Sequence, residues 1–273
     1  MRLSAIALVI LASLPACESS PPKTALNYTE DAKRAYDEAM EHYRSHDWIE
    51  AQTLLREVKR KYSYSKYARE AELRIADADY EQEKYADAIR EYKEFIHAHR
   101  SDSEDLAYAR ARIAEATYAE IPESFLMPAS EERDQAAVVD AYKELKSYLA
   151  DYPDAKPSAH VRELLAQVLA RLIRHELYVA RYYLDKDNYE AAVARIEYAL
   201  HNYAGGLGKL QGASPQPANL EAEAQMLLGQ TFLRMQKWAE ARRAFEAVVH
   251  GDPRSPLVTQ AASYLAYLQR RGV

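Results

Sequence analysis

Glycine is scarce in this sequence, and so are cysteine and phenylalanine. Only 7 of the 273 residues are Gly, and none precedes Gly205. Gly is the usual residue wherever a tight turn needs positive φ. A β-sandwich or barrel in the stretch before Gly205 is therefore not expected. Rossmann and P-loop folds are excluded as well, because their phosphate-binding turns are built on glycines that this chain lacks. The single cysteine, Cys17, rules out an internal disulfide framework and a Cys-based zinc site. Positive charge is not in excess. With 36 Lys and Arg against 42 Asp and Glu, the net charge of −6 gives no general attraction to nucleic acid or anionic lipid, and no nucleic-acid partner is expected. Alanine is abundant at 48 residues, and Ala is the best helix former. Tyr outnumbers Phe by 22 to 4. A chain that is 48% hydrophobic and 29% charged can bury a core. The expected class is all-α.

The N-terminus reads as an address followed by an anchor. Met1-Arg2 is a short positive start, and Leu3 to Leu14 is apolar. That run is too short to span a bilayer core of about 30 Å as a helix, but it fits the h-region of a secretory signal. Leu14-Pro15-Ala16-Cys17 follows and resembles a bacterial lipobox, in which the cysteine is acylated and becomes the mature N-terminus. Several acyl chains on one residue suffice for stable anchoring. Residues 1–16 are the expected signal peptide, and 17–28, with Ser19-Ser20-Pro21-Pro22, a lipid-anchored tether.

The rest repeats. Trp48-Ile-Glu-Ala51 aligns with Tyr85-Ala-Asp-Ala88 at an offset of 37, which also carries Tyr43 to Tyr80 and Val58 to Phe95. Tyr189-Glu-Ala-Ala192 and Trp238-Ala-Glu-Ala241 echo the motif. In the last copy Leu228, Gly229, Phe232, Ala241, Phe245, Val248 and Pro253 have the spacing of a tetratricopeptide repeat (TPR). Gly229 and Ala241 would let two antiparallel helices approach closely, with Phe232 and Phe245 filling the space around them. The third copy is split, with a first helix near 106–119, an insertion holding Pro122 and Pro128, and a second helix from about 132 to 150. Thr29 and Ser130 are candidate helix caps, and Ser255-Pro256 a cap followed by Pro at the first helical position. The expected fold is a right-handed TPR superhelix of about five helix pairs. Repeats one to four occupy 29–204, a Gly-rich loop 205–219, and repeat five with a C-terminal helix 220–273.

Catalytic patterns fail one by one. Gly205-Gly206-Leu207-Gly208-Lys209 lacks the first glycine of a phosphate loop, where Tyr203 stands, and Leu210 replaces the magnesium-binding Ser or Thr. His175-Glu176 begins like a zincin helix, but Val179 occupies the second His position. His42 and His46 share a face without a carboxylate, and solvated imidazoles are the expected reading. Neither a metal, a cofactor nor catalysis is expected. Tyr36, Met40 and Tyr43 form a stripe on the first helix of repeat one, and Leu73, Asp77 and Tyr80 take the equivalent places in repeat two. Two readings stand. The stripe fills the core between repeats, or it lines a groove where Tyr hydroxyls reach a partner.

Several stretches resemble the BamD family, TPR lipoproteins of the outer-membrane β-barrel assembly machinery. They are Lys61-Tyr-Ser-Tyr-Ser-Lys-Tyr-Ala68, the split third repeat with Glu132-Arg-Asp-Gln135, and Glu176-Leu-Tyr-Val-Ala-Arg-Tyr-Tyr183 continuing to Arg195. The resemblance implies an outer-membrane lipoprotein on the periplasmic face, touching the membrane only through its anchor. It implies docking on the POTRA domains of a BamA-like barrel, with Lys186 and Arg195 at the contact, alongside other assembly lipoproteins. It also implies a groove, with Tyr36, Met40, Tyr43, Asp77 and Tyr80, that receives C-terminal segments of unfolded outer-membrane proteins. Solvated surface charge is the alternative for Lys186 and Arg195, and truncating Arg195 is expected to leave stability nearly unchanged. Two rival functions are a TPR lipoprotein adaptor or pilotin for a pilus or secretion pore or for a cell-wall enzyme, and an enzyme with a dispersed site.

Cys17→Ala should block lipidation and processing while leaving the repeats folded, because the residue precedes all of them. Globomycin should accumulate the unprocessed wild-type precursor. Membrane retention of a normally processed Ala variant would remove the anchor.

Overall fold

The computed structural model describes residues 25–100, 103–123, 128–208, 210, 219–251 and 255–272. Cys17, the lipobox, residues 18–24, Pro253 and most of the Gly-rich segment lie outside the described residues, whereas 25–28, expected in the tether, already belong to the first helix. Within them the chain runs through helix pairs. The first two pairs are α1 (Ala25–Arg44) with α2 (Trp48–Lys61), and α3 (Lys66–Glu81) with α4 (Tyr85–Ala98). Next come α5 (Ser103–Ala119) with α6 (Ala136–Asp151), and α7 (Ser158–Asp185) with α8 (Tyr189–Ala199). A π-helical turn (Leu200–Ala204) and the single turn α9 (Gly205–Leu207) follow. The last pair is α10 (Leu220–Arg234) with α11 (Trp238–Gly251), and α12 (Val258–Arg270) packs on it. Each helix packs on its sequence neighbours, as in a solenoid. First helices also touch one another, α1 on α3, α5 on α7 and α7 on α10, and so form an inner row. The architecture is the all-α TPR array read from the repeats. No described helix is long and apolar enough to cross a membrane.

The turns inside the pairs correct one premise of the composition argument. His46, Glu83, Asp187 and Gln236 all have positive φ, between 55° and 64°, and each stands two residues before the aromatic that opens the second helix. The chain therefore makes four left-handed turns without Gly. Paired backbone bonds hold each one. In the first, His46 N donates to Tyr43 O at 3.1 Å and Asp47 N to His42 O at 3.0 Å. The last repeats this with Gln236 N to Leu233 O at 3.1 Å and Lys237 N to Phe232 O at 2.9 Å. These are helix-ending motifs in which the left-handed residue lets orphan carbonyls find donors.

Small residues set the distance within pairs. Ala51, Ala88, Ala180, Ala192 and Ala241 are fully buried. A Cβ added at Gly229 would come within 2.6 Å of the Phe245 ring, so α10 and α11 meet at a place where no side chain fits. The core is divided. One small cluster holds Ala39, Leu55, Val58 and Ile75, and another Leu73, Tyr92, Phe95 and Ile113. The largest extends from Ala111 to Leu268 around α7. That helix is 28 residues long and buries more than one face, because α5, α6, α8 and α10 all pack on it.

Local boundaries differ from the cap readings. Thr29 lies inside α1. α6 begins at Ala136 after Gln135, whose amide donates to the carbonyls of Ser130 and Arg133 at 2.8 and 2.7 Å. Ser130 thus belongs to a folded turn before the helix. Ser255 Oγ accepts from Leu257 N at 3.3 Å, and α12 starts only at Val258, so Pro256 precedes the first helical position. Gly205–Leu207 is helical, which shortens the expected loop at its start. The insertion rests on α7, where Arg171 meets Glu123 at 3.0 Å and His175 Nδ1 lies 2.7 Å from Glu131 O.

Ala241→Leu should overpack α10 against α11 and cost about 1–3 kcal/mol. Gln236→Gly should instead stabilise by up to about 1 kcal/mol, because the left-handed turn strains a residue with a Cβ. Urea unfolding of both variants checks the register. Equal tolerance would show that it is misplaced.

Candidate functional site

The repeat-two stripe leads to a buried aspartate. Asp77 sits on α3 with 1% of its surface exposed. A carboxylate in that position needs partners, and four side chains supply them. Arg74, one turn earlier, pairs with Oδ2. Tyr92 of α4 donates its hydroxyl to Oδ1. The Tyr108 hydroxyl of α5 lies 2.8 and 2.9 Å from the two oxygens. Arg112 Nε is 3.6 Å from Oδ1 and 3.3 Å from the Tyr92 hydroxyl. Arg112 also meets Glu115 at 3.0 Å and lies 3.8 Å over the Tyr80 ring. One carboxylate thereby joins α3, α4 and α5 across the junction between the second and third pairs. Next to it Gln52 of α2 donates to Asp79 at 2.8 Å and to Ile75 O at 3.2 Å, tying α2 to α3.

The five groove candidates separate into two kinds. Tyr36, Met40, Tyr43 and Tyr80 are half-buried at the inner row. Tyr36 packs against Tyr67 at 5.7 Å, Tyr43 edge-on against Trp48 at 5.1 Å, and Tyr80 against Tyr85 at 5.3 Å. Asp77 is different. It has no open face and cannot touch a ligand lying in the groove. Its role is to position Arg74 and Arg112, and through Arg112 the Tyr80 ring. The rings of Tyr36, Tyr43 and Tyr80 are packed on one side and partly exposed on the other. Burial pushes the phenol of Tyr43 up to about 12, helped by the negative charges of Asp77 and Glu81. Burial and then Asp77 likewise raise Tyr92 and Tyr108. Burial and Asp77 together hold the hub phenols protonated, as donors to the carboxylate require.

The docking candidates lie elsewhere. Lys186 follows α7, with its ammonium 5.8 Å over the exposed ring of Tyr182. Arg195 on α8 is half-exposed and contacts Glu176 of α7 at 3.2 Å, and Glu176 is buried. The expectation that truncating Arg195 leaves stability alone is therefore corrected, since the change would strand a buried carboxylate. His42 and His46 do not converge. His42 lies 3.2 Å from Asp47, and His46 stacks on Trp48. Among the described residues no group of His, Cys, Asp and Glu could hold a metal ion. Arg74, Tyr92, Tyr108, Arg112 and Glu176 went unnoticed in the sequence as partners. The available signal was a carboxylate among apolar helical neighbours, clear for Glu176 beside Leu172, Ile173, Val179 and Ala180, and weaker for Asp77, which has Leu73 and Tyr80 but also Arg74 and Glu81 nearby.

Paired helices with an inner row of half-open aromatics over a polar hub define a TPR scaffold. A TPR profile matches residues 180–256 and 226–272. The profile of the family described as YfiO, outer membrane lipoprotein, matches residues 29–208, and the chain belongs to this BamD family. It is similar to outer membrane protein assembly factor BamD of Caulobacter vibrioides, 26% identical over 198 residues, 72% of this chain and 62% of that one. The corresponding protein of Xylella fastidiosa is 24% identical over 170 residues, 62% of this chain and 58% of that one. The chain thus spans about three fifths of the length of these curated relatives. Among solved structures, the TPR2AB-domain:pHSP90 complex of yeast Sti1 aligns over 88% of this chain and 99% of that one. The likeness is loose, with a TM-score of 0.40 and 14% identity.

Asp77→Asn should cost about 3 kcal/mol, because two arginines lose their shared anion. Raised phenol values in the fold favour the protonated form. Their contribution is complete below the unfolded tyrosine value of about 10 and is lost as pH rises through the folded values. For Tyr43 that window runs from about 10 to about 12. Urea midpoints should fall across this range, and less steeply in Tyr92→Phe. A flat wild-type profile there would contradict the hub.

Proposed function

We propose that the protein is a non-catalytic scaffold that assists assembly of β-barrel proteins in the outer membrane, held at the periplasmic face by acylated Cys17. The observation that carries this reading is the family match over residues 29–208, the same repeats that hold the groove and hub. The two relatives are outer membrane protein assembly factors. In this reading the groove takes C-terminal segments of unfolded barrel proteins, whose aromatic side chains would lie against Tyr36, Tyr43 and Tyr80. The half-open rings and the fixed Arg112–Tyr80 stack support a preformed surface, which lowers the ordering cost of binding an extended peptide. Other lipoproteins of the assembly complex are further partners.

Docking on the POTRA domains of a BamA-like protein is assigned to Arg195, with Lys186 at the rim. Glu176 engages Nη1 of Arg195, and about half of the side chain remains exposed. A guanidinium has five donors in a planar fork, so it can serve an internal and an external carboxylate together. Lys186 on its exposed turn has no such frame.

The informative variant is Arg195→Lys, which keeps a cation for Glu176 but loses the fork. Its melting temperature should stay close to wild type, while pull-down of the POTRA-bearing partner from native membranes should weaken by about tenfold or more. Lys186→Ala should weaken capture less. Full capture by Arg195→Lys at moderate salt would count against this interface.

A further inference from the structure

The far end of the inner row holds a second aromatic site. Leu233 of α10, Trp238 of α11, and Gln260, Ser263, Tyr264 and Tyr267 of α12 line an open pocket of about 600 Å³. Its back wall is braced from behind. The Tyr264 ring lies flat on Phe245, 4.7 Å away with 7° between the planes, and its hydroxyl is 3.5 Å from Gln230 Nε2. Phe245 can take that place because Gly229 beneath it has no side chain. The contact that joins α10 to α11 therefore also fixes the pocket.

One side of the pocket is a cation. The Arg271 guanidinium carbon lies 5.1 Å from the ring centres of both Trp238 and Tyr267. A guanidinium stacked on rings uses its faces and keeps its edge N–H groups for an acceptor in its own plane. Arg234 follows Leu233 and Lys237 precedes Trp238 in sequence, Arg270 stands about one turn after Tyr267 on α12, and all three are exposed. Among the described residues no carboxylate forms an ion pair with any of these four cations. Some arginines of the array are paired, as Arg110 is with Glu144 and Arg242 with Glu246. In a chain of net charge −6, the pocket is thus flanked by exposed cations.

We propose that the pocket docks an acidic polypeptide segment of another protein that carries one aromatic or branched aliphatic anchor. The anchor enters between Trp238, Tyr264 and Tyr267. A neighbouring carboxylate meets the edge of Arg271, and further carboxylates meet Arg234, Lys237 and Arg270. A lone terminal carboxylate would use Arg271 and leave the other three cations unengaged, so the charge pattern favours an internal acidic stretch. The site shares no residue with the Tyr36–Tyr80 groove or with Arg195 and Lys186, and it stands or falls separately from them.

The chain has 2 tryptophans, so Trp48→Phe leaves Trp238 as the only indole. In that background the full chain, in detergent micelles, would be titrated with the capped peptide Asp-Glu-Phe-Glu-Asp while Trp238 emission is followed. Comparison peptides are Lys-Lys-Phe-Lys-Lys, Asp-Glu-Ser-Glu-Asp and Ser-Ser-Ser-Ser-Phe with a free carboxylate. The acidic Phe peptide should saturate the signal, weaken with added salt, and lose about tenfold in affinity in Arg271→Glu. Tyr267→Ala should weaken it too, with the helical spectrum retained in both variants because the residues are exposed. No saturable response, equal binding of the basic peptide, or indifference to Arg271→Glu would overturn the proposal. Equal binding of the Phe-terminal peptide would overturn the internal acidic segment and assign a terminal carboxylate instead.

Discussion

Close approach of two helices within each pair is the contact on which the rest depends. Where Ala192, Ala241 or Gly229 stands, the opposing helix occupies the volume a longer side chain would need. That contact lets Phe245 lie over Gly229, and Tyr264 lie on Phe245, so α12 is seated by the absence of a Cβ on α10. Stacked pairs then bring the first helices into an inner row. Half-open rings from successive repeats face one way only because the pairs repeat with the same internal spacing. The half-open aromatic stripe of the first repeats and the C-terminal pocket are both products of that spacing.

Polar contacts act at the junctions between pairs. Apolar packing is tolerant of small shifts, since a sliding side chain finds new neighbours of the same kind. A buried carboxylate is not tolerant, because its donors must sit at hydrogen-bond distance or leave it desolvated and alone. Asp77 therefore sets the placement of α3, α4 and α5 more narrowly than Leu73 or Ile113 can. Glu176 does the same for α7 and α8 through Arg195. Whatever each hub adds to net stability, it selects one arrangement of the array over its near neighbours.

Much of this was legible in the residues and some was not, for physical reasons. The pairs, the split third repeat and the close contacts at Ala192, Gly229 and Ala241 follow from periodicity and side-chain volume, which are local properties. The turns were misjudged because Gly is the usual but not the required residue at positive φ. His46, Glu83, Asp187 and Gln236 accept the strain where the backbone bonds of the helix end hold them. Asp77 was placed on the correct helix but on the wrong side of the surface. Its donors Tyr92, Tyr108 and Arg112 come from other helices, and only the stacking of pairs brings them to it. Arg195 was read from one helix face, while the residue that constrains it, Glu176, lies on the partner helix.

The division of the core has a mechanical consequence. Small apolar clusters sit on either side of α3, whereas one continuous cluster runs from α5 to α12 around the long helix α7. A solenoid built this way is a spring of uneven stiffness. Its C-terminal portion transmits a load as a nearly rigid bar, while compliance concentrates in the first pairs. Because the Asp77 hub bridges α3 to α5, bending there must proceed by strain on directional polar contacts, which resist small angles and yield abruptly at larger ones. A pull on the N-terminal end would thus be met by a stiff joint before the first repeats part from the rest.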